Sequence, residues 1–303
     1  MEKKKYTIKK IKIKKTRIAA YVLTFIKESI KLVQSNFVCK EAIVMKPYEF
    51  NGEKYKEASK HQKEWGNQLI AQLELKGIED ILDLGCGDGV LTEHLAALAE
   101  RGSVLGIDAS AGMIQAAIKL RKGNLEFRQM DINELNFTNR FDIIYSNAAL
   151  HWIKNHERLI NASFAALKPG GRIFWNFAGE GTCTNFFEVI RKKMQQKEYK
   201  EYFYKFEWPW FMPSKAEYQK LISQAAFSEA EVAEEHADRY FLDADEMIRW
   251  LDQPTIVPFL SCVPDVLKGQ FRGEVIKDML EKSVQPDGSC FETFRRIRVK
   301  AVK

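Results

Sequence analysis

The chain has 303 residues, 46% hydrophobic and 29% charged. That suits a globular protein with one large α/β domain, or a core plus a small cap. Its net charge of +6 is local: residues 1–44 hold 12 Lys/Arg against 3 Asp/Glu, a balance of +9, so the other 259 residues carry −3. A mildly acidic body argues against a nucleic-acid-binding domain. The five scattered cysteines (Cys39, Cys86, Cys183, Cys262, Cys290) and five histidines give no metal-site spacing and fit a reduced, cytoplasmic setting.

Residues 1–16 form a Lys-rich run, and residues 17–37 read as a basic amphipathic helix with Ile18, Val22, Phe25, Ile26 and Val33 at helical spacing. This extension is either loosely attached or a membrane-surface or partner-binding helix. Its longest uncharged apolar run, Ile18 to Ile26, is too short to span a bilayer, and no small-residue cleavage site follows it. Met45 opens a segment with the extent of a complete enzyme. The pattern therefore divides into a basic extension, 1–44, and a catalytic domain, 45–303.

A helix is predicted over residues 54–76, with Trp65, Leu69, Ile70 and Leu73 on its apolar side. Short apolar runs then alternate with amphipathic stretches. The strands expected are Asp80–Leu84, Ser103–Ile107, Leu125–Gln129, Phe141–Ser146 and Arg172–Phe177, with helices at about 89–100, 111–121 and 155–167. Strand–helix alternation implies an α/β fold, a Rossmann-like, mostly parallel sheet with helices on both faces. After residue 180 the pattern changes. An aromatic-rich helical stretch (182–227), a strand at 229–242, helices over 244–282 broken by Pro254, Pro258 and Pro264, and a closing strand, Thr293 to Val302, read as a substrate cap plus the last two strands.

The decisive stretch is Ile81-Leu82-Asp83-Leu84-Gly85-Cys86-Gly87-Asp88-Gly89-Val90. A buried strand ends in Gly-x-Gly-x-Gly and a helix follows at once, so a ligand can lie against the backbone and meet free N–H groups at the helix start. Two features favour S-adenosylmethionine (SAM) over a dinucleotide. The spacing is not G-x-G-x-x-G. Asp83, two residues before the first glycine, repels a pyrophosphate but accepts from the ammonium of a methionine moiety. Asp108 ends the second strand, where a carboxylate accepts from ribose hydroxyls. Asp131 ends the third, in reach of an adenine amino group, and Met113 can pack on the adenine face. Helix capping is the plainer alternative for both acids.

The fourth strand leads into Asn147-Ala148-Ala149-Leu150-His151-Trp152, which should flank the reacting group because ligands in open α/β sheets sit beyond the strands' carboxyl ends. Together with Tyr55-x3-Ser59-x2-Gln62, the glycine loop and this segment resemble a class I SAM-dependent methyltransferase, over about residues 50–180. Within that class it resembles the trans-aconitate and juvenile hormone acid methyltransferases, which esterify carboxylates. It implies a seven-stranded sheet with an antiparallel last strand, and SAM contacts by Tyr55, Asp83, Gly85, Cys86, Gly87, Gly89, Asp108, Met113, Asp131, Ile132 and Asn147. It also implies that Gln62 and Trp152 hold a substrate carboxylate.

Chemistry supports that independently. An amide N–H and an indole N–H are neutral donors that orient a carboxylate without quenching its nucleophilicity as an Arg does. A carboxylate is already ionised at pH 7 and needs no general base. Two other readings stay open. One is methylation of a carbon, oxygen or nitrogen of another metabolite with His151 as base. The other is a SAM-binding, nucleic-acid-associated factor guided by the basic arm.

Overall fold

The computed structural model describes Glu49 and residues 60–303. The basic extension, Tyr55 and Ser59 lie outside the described residues. The sheet has seven strands: β1 (Asp80–Leu84), β2 (Ser103–Asp108), β3 (Leu125–Gln129), β4 (Phe141–Asn147), β5 (Leu167–Ala178), β6 (Glu229–His236) and β9 (Arg295–Val302), in the order β3-β2-β1-β4-β5-β9-β6. Strands β1–β5 pair in parallel, and β9 runs antiparallel between β5 and β6. This is the expected α/β architecture. The order reverses at β1, so the crevice beyond β1 and β4 is the place for a ligand.

Alternation along the strands splits the core into two layers. Leu82 and Leu84 pack on one face with Leu159 and Ile160 of α4 (His156–Ala166) and Ile222 of α6 (Lys215–Ile222). Ile81 and Ile143 pack on the other with Leu69 and Ile70 of α1 (Lys60–Ile70) and Leu95 of α2 (Val90–Leu98). A third cluster builds the cap. It joins α5 (Thr184–Met194), α7 (Ala244–Trp250), α8 (Val257–Leu260) and α9 (Asp265–Ser283), and reaches Trp65 of α1.

Four expectations need correction. Helix α1 stops at Ile70 and does not continue to 76: Glu74 takes a left-handed φ of +50°, and the Glu79 carboxylate then takes the backbone amides of Lys76, Gly77 and Ile78 (2.7, 3.0 and 3.0 Å). Helix α3 (Ala111–Ala117) passes into a 3₁₀ turn, Ile118–Leu120. The 229–242 strand divides: β6 joins the main sheet, while β7 (Arg239–Phe241) pairs with β8 (Cys290–Glu292). Asp238 forces the break by accepting from the Phe294 amide (2.9 Å) and the Arg295 guanidinium. Finally β5 begins at Leu167, since Phe141 already pairs there across an irregularity in register.

Candidate active site

The glycine loop is built from left-handed turns. Gly85, Gly87 and Gly89 have φ of +71, +54 and +81°, a region closed to most side chains. A Cβ on Gly85 would lie 2.3 Å from the Ala149 Cβ, so this glycine also admits the chain leaving β4. The loop is held by Gly85 and Cys86 N–H donating to the Ile107 carbonyl (2.8 and 2.9 Å).

The cleft above it is lined by residues of three elements, among them Asp83 and Gly87 of β1 and its loop, Tyr145 and Asn147 of β4, and Gln62 and Lys63 of α1. Helix α1 is drawn close. The Tyr145 hydroxyl donates to the Gly66 carbonyl (3.1 Å), and Lys63 pairs with Asp88 (3.0 Å). Asn147 donates its side-chain amide to the Gln62 carbonyl (2.8 Å). The Asn147 Oδ1 and Gln62 Oε1 atoms are buried with no hydrogen-bond partner among the described residues.

The cleft is negative at its floor. Asp83 accepts from Thr92 Oγ1 (2.7 Å), yet burial raises its pKa to about 7, with the Asp108 charge adding to the rise. Asp108 is also raised by burial, although the Gly87 and Ser110 amides (3.0 and 2.9 Å) oppose this.

Beyond β4 the backbone is strained. Ala148 takes φ +57°, and its N–H donates to the Asn176 carbonyl (2.7 Å); such conformations cost of order 1–3 kcal/mol and cluster at functional sites. This bend presents the 3₁₀ turn Leu150–Trp152. Trp152 meets Trp210 edge-on (5.3 Å), and the Phe211 amide donates to the His151 carbonyl (2.8 Å), fastening the Trp208-Pro209-Trp210 segment beside it. His151 is driven down to a pKa of about 3, first by burial and then by the charge of Arg296.

The sequence from Ile81 to Gly171 matches the family model described as a methyltransferase domain. The methyltransferase C70.08c of Schizosaccharomyces pombe is 30% identical over 256 residues, 78% of this chain and 90% of that protein. The chain belongs to the class I SAM-dependent methyltransferases. A trans-aconitate 2-methyltransferase of Deinococcus radiodurans is 42% identical over 103 residues, 34% of this chain and 39% of that one. A malonyl-[acyl-carrier protein] O-methyltransferase of Acetivibrio thermocellus is 31% identical over 154 residues, 49% and 54% of the two chains. The chain thus spans well under two thirds of those two relatives. Among solved structures, the YcgJ protein of Bacillus subtilis superposes with a TM-score of 0.53 at 14% identity, over 80% of this chain and 98% of that one, a likeness of fold.

The methyltransferase cleft fits its cofactor by charge and shape. A sulfonium and an ammonium are both cations, and the floor carries two buried carboxylates, the Asp108 charge adding to the proton affinity of Asp83. Gly85 and Gly87 are half-buried and line the cleft, as do Gln62 and Asn147, each with a buried amide oxygen that has no hydrogen-bond partner among the described residues. Not every expected contact lies on this surface. Asp131 caps the 3₁₀ turn Ile132–Glu134 by accepting from the Asn133 amide (2.8 Å). Met113 and Ile132 are buried, Ile132 against the Gly85 end of the loop. Of the aromatic residues after β4, Trp175 and Phe177 are strand residues of the sheet core, while Trp208 and Trp210 stand beside Trp152.

Lys63, Asp88, Leu91 and Tyr145 line the cleft without having been singled out in the sequence. For Lys63 a signal existed: it follows Gln62 directly. Asn176 and Arg296 gave none, since both read as ordinary strand residues.

Proposed function

We propose that this methyltransferase esterifies a carboxylate oxygen of a small-molecule acid. SAM supplies an electrophilic methyl group, taken up by a carboxylate oxygen as the carbon–sulfur bond breaks and its electron pair stays on sulfur, leaving S-adenosylhomocysteine. Asp83, Asp108 and the backbone of Gly85–Gly89 are the groups to hold the cofactor. Gln62 and Trp152 hold the acid from the α1 and β4 sides.

The observation that carries the reading is the state of His151. This imidazole sits in the 3₁₀ turn that the Ala148 bend presents, and burial holds the pKa of its conjugate acid at about 3. At pH 7 it is neutral and a poor proton acceptor. An acceptor that arrives already ionised needs no such base. What remains is alignment and exclusion of water, which the Trp152–Trp210 contact and the packed α1 supply. The two partial relatives, named for trans-aconitate and for malonyl-[acyl-carrier protein], both act on carboxylic acids and point the same way.

The test is incubation with radiolabelled SAM and a panel of carboxylic acids, with release of labelled methanol in alkali. Label incorporated in a base-stable form overturns the assignment.

A further inference from the structure

A carbonyl oxygen has two lone pairs, and the Asn176 carbonyl near the end of β5 uses both. It accepts the Ala148 amide at 2.7 Å and a terminal nitrogen of Arg296 at 3.1 Å. Arg296 Nε donates to the Asn176 side-chain oxygen as well (2.7 Å). One guanidinium therefore grips both polar groups of a single residue, as its planar fork of N–H donors allows. Arg296 and Asn176 are each 3% exposed, so water hardly competes for these bonds.

The gripped carbonyl restrains a bend that the chain does not favour by itself. Ala148 stands at φ +57°, where a Cβ crowds the backbone, and such a conformation persists only when its surroundings hold it. On one side of the bend Asn147 donates to the Gln62 carbonyl (2.8 Å); on the other the 3₁₀ turn carries Trp152. Asn147 and Asn176 stand in register, so β4 and β5 deliver both residues to the same level. The guanidinium also lies over the Trp65 ring at 4.3 Å. Trp65 is three residues after Gln62 on α1, on the same helical side. Arg296 thus touches both elements that carry the acceptor-side groups.

We propose that Arg296 is a positioning residue, bracing the Ala148 bend through Asn176 and α1 through Trp65, and so setting Gln62 and Trp152 at the spacing that methyl transfer needs. This deepens the carboxylate reading above and rests on it. Transfer between two held groups is sensitive to alignment, and a misplacement of about 1 Å far from the chemistry costs up to about a hundredfold. An Arg stays protonated throughout the working pH range, so the brace does not titrate.

The experiment uses the full chain saturated with S-adenosylhomocysteine and reads amide hydrogen exchange by mass spectrometry. In Arg296→Met, peptides covering residues 147–152 should exchange at least about tenfold faster, with β1 close to wild type. In the SAM reaction on trans-aconitate, kcat per S-adenosylhomocysteine-binding site should fall about tenfold or more. Arg296→Lys keeps the charge without the fork and should fall between the two. Adding Ala148→Gly to Arg296→Met should restore much of both losses, because glycine takes the left-handed bend unaided. That gain should exceed the effect of Ala148→Gly in the wild type, since the two positions share Asn176. Where Arg296→Met yields too little folded chain, Asn176→Ala carries the same predictions, because it removes the acceptor of Nε and keeps the carbonyl.

Exchange at the bend indifferent to Arg296 overturns the brace. So does faster exchange spread evenly over the bend and β1, or a deficit that Ala148→Gly leaves untouched, since a merely structural role gives those results. Local, glycine-rescued exchange with no base-labile ester from trans-aconitate or the other acids of the panel would leave the brace standing and sink the esterification reading. Esters formed by Arg296→Met at the wild-type rate would do the reverse.

Discussion

The side-chain amide of Asn147 donates to the Gln62 carbonyl at 2.8 Å, tying the exit of β4 to the first turn of α1. With the Tyr145–Gly66 bond and the Lys63–Asp88 pair it holds α1 against the cleft, which Gln62 and Asn147 both line, each keeping a bare oxygen. Asn147→Asp removes the donor and sets a carboxylate against a carbonyl. Loss of the bond alone is worth about 1 kcal/mol, or about 2–4 °C in melting temperature for a domain of this size. The added repulsion should bring the loss of S-adenosylhomocysteine affinity to about tenfold or more by calorimetry. Unchanged affinity would show that the bond does not shape the cofactor site.

Gly85 and Ala149 make the second close approach. Alanine at 85 would put two Cβ atoms 2.3 Å apart at φ +71°. Overpacking costs typically 1–3 kcal/mol, and the left-handed conformation adds about 1–2 kcal/mol. Gly85→Ala should therefore lose both stability and cofactor binding. The double variant Gly85→Ala/Ala149→Gly relieves the clash and keeps only the backbone strain. Denaturant titration should recover part of the loss, with strong non-additivity because the two positions touch. Additive losses would mean the two positions do not pack on one another.

The sheet was readable in the sequence because its strands are apolar runs bounded by glycine turns. β1 and β3 fall where the pattern puts them, and the loop glycines signal their own φ. What escaped reading depended on partners distant in sequence. The apolar spacing of helix α1 persists past Ile70 to Leu73, whereas the backbone turns left-handed at Glu74 and Glu79 binds the amides beyond it. Trp175 lies in a central strand and Trp210 in the cap, a difference that strand pairing and packing decide and side-chain type does not. Arg296 sits in a strand of alternating basic and apolar residues, and only the pairing with β5 brings it to Asn176.

Asp83 makes the cofactor site pH-dependent. Burial first, then the Asp108 charge, lifts its pKa to about 7 against the Thr92 hydrogen bond. Between an unfolded value near 4 and 7, the folded chain holds a proton that the unfolded chain has released. Stability from this group is therefore lost as pH rises through that window and levels off above it. Asp83→Asn should flatten that part of the melting-temperature profile and gain most, relative to wild type, above pH 7. An ammonium docking on Asp83 favours the ionised form, so S-adenosylhomocysteine binding at pH 6 should release a proton. Affinity should climb up to about tenfold per unit below 7 and plateau above it. Calorimetry in two buffers of different ionisation enthalpy measures this. Binding without proton release at pH 6 contradicts the assignment of Asp83 to the ammonium.

His151 separates the two chemistries open to the fold. Burial, then Arg296 and His156, hold its pKa at about 3, so its protonation does not change between pH 6 and 9. On an acid substrate, His151→Ala should cost no more than one neutral hydrogen bond, about fivefold at roughly 1 kcal/mol, and leave the shape of the pH–rate profile alone. A base-dependent reaction behaves otherwise. There, wild-type kcat rises with a limb near pH 6–7, and the alanine variant loses about a hundredfold or more along with that limb. That outcome would mean that substrate binding restores His151 as a proton acceptor, and it would move the methyl from a carboxylate to a hydroxyl, carbon or nitrogen acid.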